Sequence, residues 1–129
     1  MTTIKVKGFN SFSRQGSFNR RYHGGIATCI HDSIPAEALE IVTQYQTVAV
    51  RVNLKKNVTI TAVNIYVPGS ATFEAGVVSG MIDQLPEPVI IMGDFNAHNT
   101  LWGNINSDRR GRLLEIIITQ KGLNLMNNG

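Results

Sequence analysis

The stretch Val89-Ile90-Ile91-Met92-Gly93-Asp94-Phe95-Asn96-Ala97-His98 decides how the rest of the chain is interpreted. Its first four residues are all apolar, and so short an apolar run is typical of a buried strand. Ligand-handling groups in sheet proteins gather where strands end, because the scaffold is rigid there and the tip is open. The stretch therefore predicts a buried strand, Val89–Met92, followed directly by a candidate site.

Three polar side chains, Asp94, Asn96 and His98, occupy alternate positions after this strand. If the chain stays extended, all three project to the same side, because side chains repeat every two residues. An ionised carboxylate can orient and deprotonate a water, and an amide can donate to a phosphate oxygen without adding charge. The same residues also suit a purely structural interpretation, with Asp94 and Asn96 forming an Asx turn and His98 bracing the loop or lying on the surface. The pattern alone leaves both interpretations open.

A hairpin is predicted upstream, between Tyr45 and Val67. Its first strand alternates in a way that predicts one buried and one exposed face, with Val48, Val50, Val52 and Leu54 opposite Ala49, Arg51 and Asn53. The turn falls at Lys55-Lys56-Asn57, where Asn57 can take the left-handed conformation. The second strand, Val58–Val67, ends with Asn64 and Tyr66 on one face. The Tyr66 hydroxyl either binds a phosphate there or lies at the edge of the core.

Helical spacing completes a mixed α/β pattern. One helix is predicted over Thr72–Leu85, and a second over Arg109–Lys121, with Asp108 as its N-cap and Gly122 at its C-terminal end. Short strands are predicted at Gly25–Ile30 and from Leu123 to Met126, and residues 1–24 are predicted to be a loop with one short strand at its start.

Charge is unevenly distributed along the 129 residues, whose net charge is +3. Residues 1–31 contain basic side chains and no acid, which suits either a nucleic acid or a solvated loop. The arginine pairs Arg20-Arg21 and Arg109-Arg110 are candidates for nucleic-acid binding. The single cysteine excludes an intramolecular disulfide, and no apolar run approaches the ~20 residues that a membrane span requires.

Together these motifs resemble the endonuclease domain of LINE-type (non-LTR) retrotransposons, in the exonuclease–endonuclease–phosphatase superfamily. The blocks that carry the resemblance, over roughly residues 20–129, are Gly24-Gly25-Ile26-Ala27, Asn64-Ile65-Tyr66-Val67-Pro68, Gly93–His98, Leu101-Trp102-Gly103, Asp108–Leu114 and Leu123–Gly129. The composite is much more specific than aspartate–phenylalanine–asparagine alone.

The resemblance implies a DNase-I-like four-layer α/β sandwich that hydrolyses a DNA phosphodiester with Mg²⁺. In a complete element, the domain would nick nuclear target DNA for a reverse transcriptase domain. By resemblance, Asp94 orients the attacking water, Asn96 holds the scissile phosphate and Tyr66 contacts that phosphate. His98 matches a position usual in this branch, and Asn64 supports the site from behind.

Two parts of the family pattern have no counterpart in residues 1–129: the glutamate that binds the metal, and the terminal serine–aspartate–histidine triplet. We therefore expect residues 1–129 to form one incomplete domain, a partial sandwich without the N-terminal strands and the C-terminal segment. We also expect no metal ligand set in this chain and no DNA cleavage by it alone. Two alternatives are a non-catalytic transposon relic, which at most binds nucleic acid, and a phosphatase of the same superfamily.

Overall fold

The fold is built around the hairpin that sequence alternation predicts between residues 45 and 67. The computed structural model describes residues 4–15 and 25–128. In chain order its elements are β1 (Phe9–Gln15), β2 (Gly25–His31), β3 (Ala36–Leu39), β4 (Gln46–Lys55), β5 (Val58–Tyr66), α1 (Ala75–Asp83), β6 (Val89–Asp94), a single 3-10 turn (Thr100–Trp102) and α2 (Arg109–Gln120). Asn57 takes φ 65° in the turn between β4 and β5, which confirms its predicted left-handed conformation.

Two sheets make up the β structure of the described residues. Strands β3, β4, β5 and β6 form one sheet in that order, and β1 pairs with β2 in a second, two-stranded sheet. The β5–β6 pair is parallel and the other pairs are antiparallel. Helix α1 makes the crossover that a parallel pair requires. The predicted arrangement, a hairpin beside the strand that follows it, is confirmed.

The hairpin is buried on both faces over residues 47–50 and 61–63, so the prediction of a half-buried strand is wrong there, whereas Asn53 is exposed as predicted. On one face, apolar residues of β4 and β5 pack against the β1–β2 sheet: Val48, Val50, Val52 and Ala62 with Phe12, Ile26 and Ile30. On the other face, Ile65 of β5 packs with residues of the adjoining loops and of both helices: Tyr45, Val67, Phe73, Val78, Met81 and Ile117. The described residues thus form three layers, helices, four-stranded sheet and two-stranded sheet.

Strand β6 is an edge strand, which corrects the prediction that it is buried. Its side chains Ile90 and Met92 remain 52% and 43% exposed. They lie on the face that β1 and β2 cover further along the sheet, because Ala62 and Asn64 of β5 are their register partners. The described part of the chain does not cover this end of the sheet. An apolar run therefore identified the strand but not its place in the sheet.

Two other predictions are corrected at the ends of the chain. Residues 9–15, predicted to lie largely in a loop, form a seven-residue strand whose every residue pairs with β2. Leu123–Met126, predicted to begin a strand, has no regular secondary structure. Residues 1–3, 16–24 and 129 lie outside the described residues, and so does the predicted nucleic-acid-binding pair Arg20 and Arg21. None of the helices in the described ranges is long and apolar enough to cross a membrane.

Candidate active site at the ends of strands β5 and β6

The parallel pairing of β5 and β6 brings two predicted site residues side by side. Tyr66 is the register partner of Asp94, and the N–H of Val67 donates to the Asp94 carbonyl at 2.9 Å. Neighbouring strands lie about 4.8 Å apart, and paired residues project from the same face of a sheet. Both strands end at this point, so the two side chains share one open end of the sheet.

Gly93 lets the two strand ends approach each other. It has φ 141°, and a Cβ placed there would lie 1.9 Å from the carbonyl oxygen of Ile65. No other residue fits that space without moving the neighbouring strand. The close approach that requires glycine at this position is therefore to the protein's own backbone.

Asn96 reaches the site through a turn and not through an extended chain. Its φ is 48°, and its N–H donates to Oδ1 of Asp94 at 2.8 Å, which is the predicted Asx turn. The premise that the chain stays extended through Asp94, Asn96 and His98 was therefore wrong. The turn still directs the Asn96 side chain to the end of β5, where Nδ2 donates to the Val67 carbonyl at 2.8 Å. Tyr66, Asp94 and Asn96 thus lie on adjoining backbone.

His98 is held by the residue that caps helix α2. Its Nδ1 lies 2.8 Å from Oδ2 of Asp108, and its backbone N–H donates to Oδ1 of the same carboxylate at 3.1 Å. The Gly111 N–H also donates to Asp108, at 2.7 Å, which confirms the predicted N-cap. The hydrogen bond from Gly111 holds the pKa of Asp108 below its usual value; the bonds from His98 act the same way, and burial opposes them. These contacts favour the interpretation of His98 as a brace for the loop.

The predicted nucleic-acid contact Arg110 is engaged within the protein. Its Nη1 donates to the carbonyl of Phe95 at 3.1 Å, and its Nη2 lies near the carbonyls of Pro68, Gly69 and Ala71. Arg109, the preceding residue, is exposed. The contacts do not test DNA binding by either residue, but they assign Arg110 a position inside the fold.

Two asparagines near the candidate site make hydrogen bonds to other parts of the fold. Asn64, behind Tyr66 on β5, donates through Nδ2 to the Ala27 carbonyl at 3.2 Å and so joins the two sheets. Asn99, which the sequence did not single out, is 1% exposed. Its Nδ2 donates to Gly111 O at 3.2 Å and to Glu115 Oε2 at 2.9 Å. An asparagine next to a histidine in a polar loop gives no sequence signal of burial.

The described residues contain no cluster of acidic side chains that would by itself identify a magnesium site. Among them there is no group of three or more His, Cys, Asp or Glu side chains placed to hold a metal ion. Asp94 is the one carboxylate among the predicted site residues, and one of its oxygens already accepts the Asn96 N–H. Magnesium prefers six oxygen ligands in near-octahedral geometry. We therefore derive no reaction step through a metal from these residues.

Comparison with known proteins identifies the family. Residues 60–129, more than half of the chain, match the model of a family described as "Endonuclease-reverse transcriptase". The chain belongs to the endonuclease–reverse transcriptase family. The matched segment of this family member contains all but the first two residues of β5, and the whole of α1, β6 and α2. With them it contains Asn64, Tyr66, Asp94, Asn96 and His98.

The fold of this family member is that of a solved retrotransposon endonuclease. The chain superposes with a TM-score of 0.75 on the "Endonuclease domain of TRAS1, a telomere-specific non-LTR retrotransposon", at 22% sequence identity. The match covers 96% of this chain and 57% of that one, so the chain spans little more than half the length of the solved domain. No curated protein matches the sequence significantly. The predicted mixed α/β, DNase-I-like fold is confirmed, and the roles of the site residues stay predictions.

Proposed function

We propose that this endonuclease–reverse transcriptase family member positions water and phosphate for the hydrolysis of a DNA phosphodiester, nicking target DNA for reverse transcription. The observation that carries the proposal is the register of β5 and β6. It sets Tyr66 beside Asp94, and Asn96 is tied to both strand ends. Three chemically different groups within reach of a single phosphate are what such a reaction requires.

Each of the three side chains has a hydrogen-bonding group available for this chemistry. The Tyr66 hydroxyl and the second N–H of the Asn96 amide donate to the phosphate oxygens, since the first N–H is used on Val67. Asp94 keeps Oδ2 to orient a water and accept its proton, because Oδ1 accepts the Asn96 N–H. The water oxygen then bonds to phosphorus while the bond between phosphorus and the leaving strand's oxygen breaks, and that oxygen takes a proton from solvent.

Charge limits what these three groups achieve by themselves. A carboxylate beside an anionic phosphate repels it, and hydrolysis adds negative charge to the phosphoryl oxygens. We propose that Mg²⁺, held with ligands beyond those described here, supplies the missing positive charge in the complete domain. A Lewis-acid metal typically contributes several kcal/mol to the stabilisation of that charge. The chain alone is therefore proposed to be inactive.

A plasmid-nicking assay with Mg²⁺ tests the proposal. We expect no nicking by the 129-residue chain, and nicking by the same chain extended with the coding sequence that flanks it. Asp94→Ala or Asn96→Ala should abolish nicking by the extended protein, whereas Asp32→Ala, an exposed aspartate in the turn after β2, should not.

Two results would contradict the proposal in different ways. Nicking by the bare chain that is lost in Asp94→Ala would mean that these residues hold the metal without help. No nicking by the extended protein, although it folds, would favour the alternative of a non-catalytic relic. Release of inorganic phosphate from a DNA end, without nicking, would favour the phosphatase alternative.

A further inference from the structure

The guanidinium of Arg110 occupies a ring of backbone carbonyls. Nη1 donates to Phe95 O at 3.1 Å, and Nη2 lies 3.1 Å from Pro68 O, 3.2 Å from Gly69 O and close to Ala71 O. The ring of Phe73 lies beneath it, with 5.7 Å between its centroid and Cζ. One half-buried side chain therefore connects helix α2 to two loops.

Electrostatics explains why an arginine is needed here. Four carbonyl oxygens, each with a partial negative charge, point towards the same position. They repel one another unless a cation lies between them. A guanidinium presents five N–H groups in a rigid plane and stacks on an aromatic ring, whereas a lysine ammonium is a compact point charge. A lysine at position 110 would keep the charge but could not span both loops.

The two loops that Arg110 joins are those that follow the proposed catalytic strands. The segment 68–71 begins two residues after Tyr66, and Phe95 lies between Asp94 and Asn96. Helix α2 itself is fixed close by, because a Cβ at Gly111 would lie 1.7 Å from the carbonyl of His98. The position of Arg110 relative to both loops is thus set by the fold.

We infer that Arg110 is a positioning residue: it clamps segment 68–71 to Phe95 and so restrains the Asp94–Asn96 turn, which strand register places beside Tyr66. The inference rests on the proposed function for the roles of those residues, but not for the clamp itself. It is an alternative to the prediction that Arg110 contacts DNA, and the kinetic experiment below distinguishes the two. Arg109, exposed on the same turn of α2, remains available for that contact and provides a matched control.

Hydrogen exchange of the 129-residue chain tests the clamp without any DNA. Three amides report on the clamped region: Val67, which donates to Asp94 O; Ala71, which donates to Pro68 O; and Asn96, which donates to Asp94 Oδ1. Arg110→Lys should speed their exchange about tenfold, while the core amides of Val50 and Val63 stay unchanged. Arg109→Lys should change neither set.

Failure of the clamp would be equally visible. Equal exchange at Val67, Ala71 and Asn96 in the parent chain and Arg110→Lys would overturn it. If Arg110→Lys also loosens Val50 and Val63, Arg110→Met is measured instead, because it keeps an apolar stem over Phe73. Faster exchange confined to the three reporter amides then supports the clamp, and uniform loosening contradicts it.

Nicking kinetics of the extended protein separate positioning from DNA contact. A clamp predicts that Arg110→Lys lowers kcat at least tenfold with KM within about twofold, because geometry is lost and charge is kept. Arg109→Ala should raise KM and reduce the salt dependence of binding by about one phosphate contact.

If Arg110→Ala behaves like Arg109→Ala and Arg110→Lys is normal, Arg110 is a DNA contact and the inference is wrong. If no protein nicks, the proposed function fails, and the exchange measurement alone decides the clamp.

Discussion

Asp108 joins two parts of the chain through one carboxylate. It caps helix α2 through the Gly111 N–H, and it holds the backbone and ring of His98. Replacing an N-cap aspartate with alanine typically costs about 1 kcal/mol, and here the His98 contacts are lost as well. We therefore expect Asp108→Ala to lower the free energy of unfolding by at least about 1 kcal/mol. Asp108→Ser, which can still cap the helix, should recover most of the loss in urea denaturation.

The lowered pKa of Asp108 gives this contribution a definite pH dependence. Because the folded-state pKa lies below the ordinary aspartate value, the ionised carboxylate stabilises the fold above that ordinary value. The stabilisation is lost as the pH falls through the folded-state pKa. The stability difference between the parent chain and Asp108→Ser should therefore be constant from pH 6 to about pH 5 and shrink below about pH 4. A difference that instead grew on acidification would contradict this assignment.

Two glycines of this chain make a matched pair with opposite expected effects. At Gly93 a methyl group would lie 1.9 Å from Ile65 O, and φ is 141°, so Gly93→Ala should destabilise the protein by several kcal/mol or prevent folding. Gly80 lies in α1 with open space around it and φ in the ordinary range. Gly80→Ala should therefore stabilise the protein by about 0.5–1 kcal/mol. Thermal unfolding of the two variants measures both effects, and a Gly93→Ala variant as stable as the parent chain would contradict the first expectation.

Among the elements, those with a strong local pattern were predictable from sequence. The β4–β5 hairpin follows from period-two alternation, and α2 from the apolar spacing after Asp108. Helix α1 was predicted as Thr72–Leu85 but occupies Ala75–Asp83. The first three predicted residues instead belong to the loop in which the Tyr45 hydroxyl bonds Thr72 O and Glu74 N.

Strand β1 shows what local pattern cannot supply. Its sequence, Phe9–Gln15, is mostly polar and contains two serines, so its strand propensity is weak. It is a strand because seven residues of β2 pair with it and Phe12 packs on the hairpin. The sequence located three groups of the candidate site, because motif and strand end coincide at Tyr66 and Asp94. It could not show the Arg110 contacts, because Arg110 and Ala71 are 39 positions apart in the sequence and meet only in the fold.

At the scale of the whole molecule, the described layers leave one part of the large sheet uncovered. Among the described residues, β6 is the edge of its sheet, and Ile90 and Met92 expose apolar side chains there. The chain spans 57% of the solved endonuclease domain, and an incomplete domain remains a prediction. Exposed apolar side chains on an edge strand are a template for association with another chain.

We therefore expect the 129-residue chain to self-associate through β6 as its concentration is raised, as exposed strand edges commonly do. Ile90→Thr should weaken association because it removes apolar surface from the edge while keeping a β-branched side chain. Stability should change little, since Ile90 is half exposed. Ile105→Thr is the control: Ile105 is 92% exposed but lies in the loop before α2, away from any strand edge. Sedimentation velocity measures the outcome. A parent chain that stays monomeric would contradict the prediction. Equal weakening of association by Ile105→Thr would show that the β6 edge does not drive it.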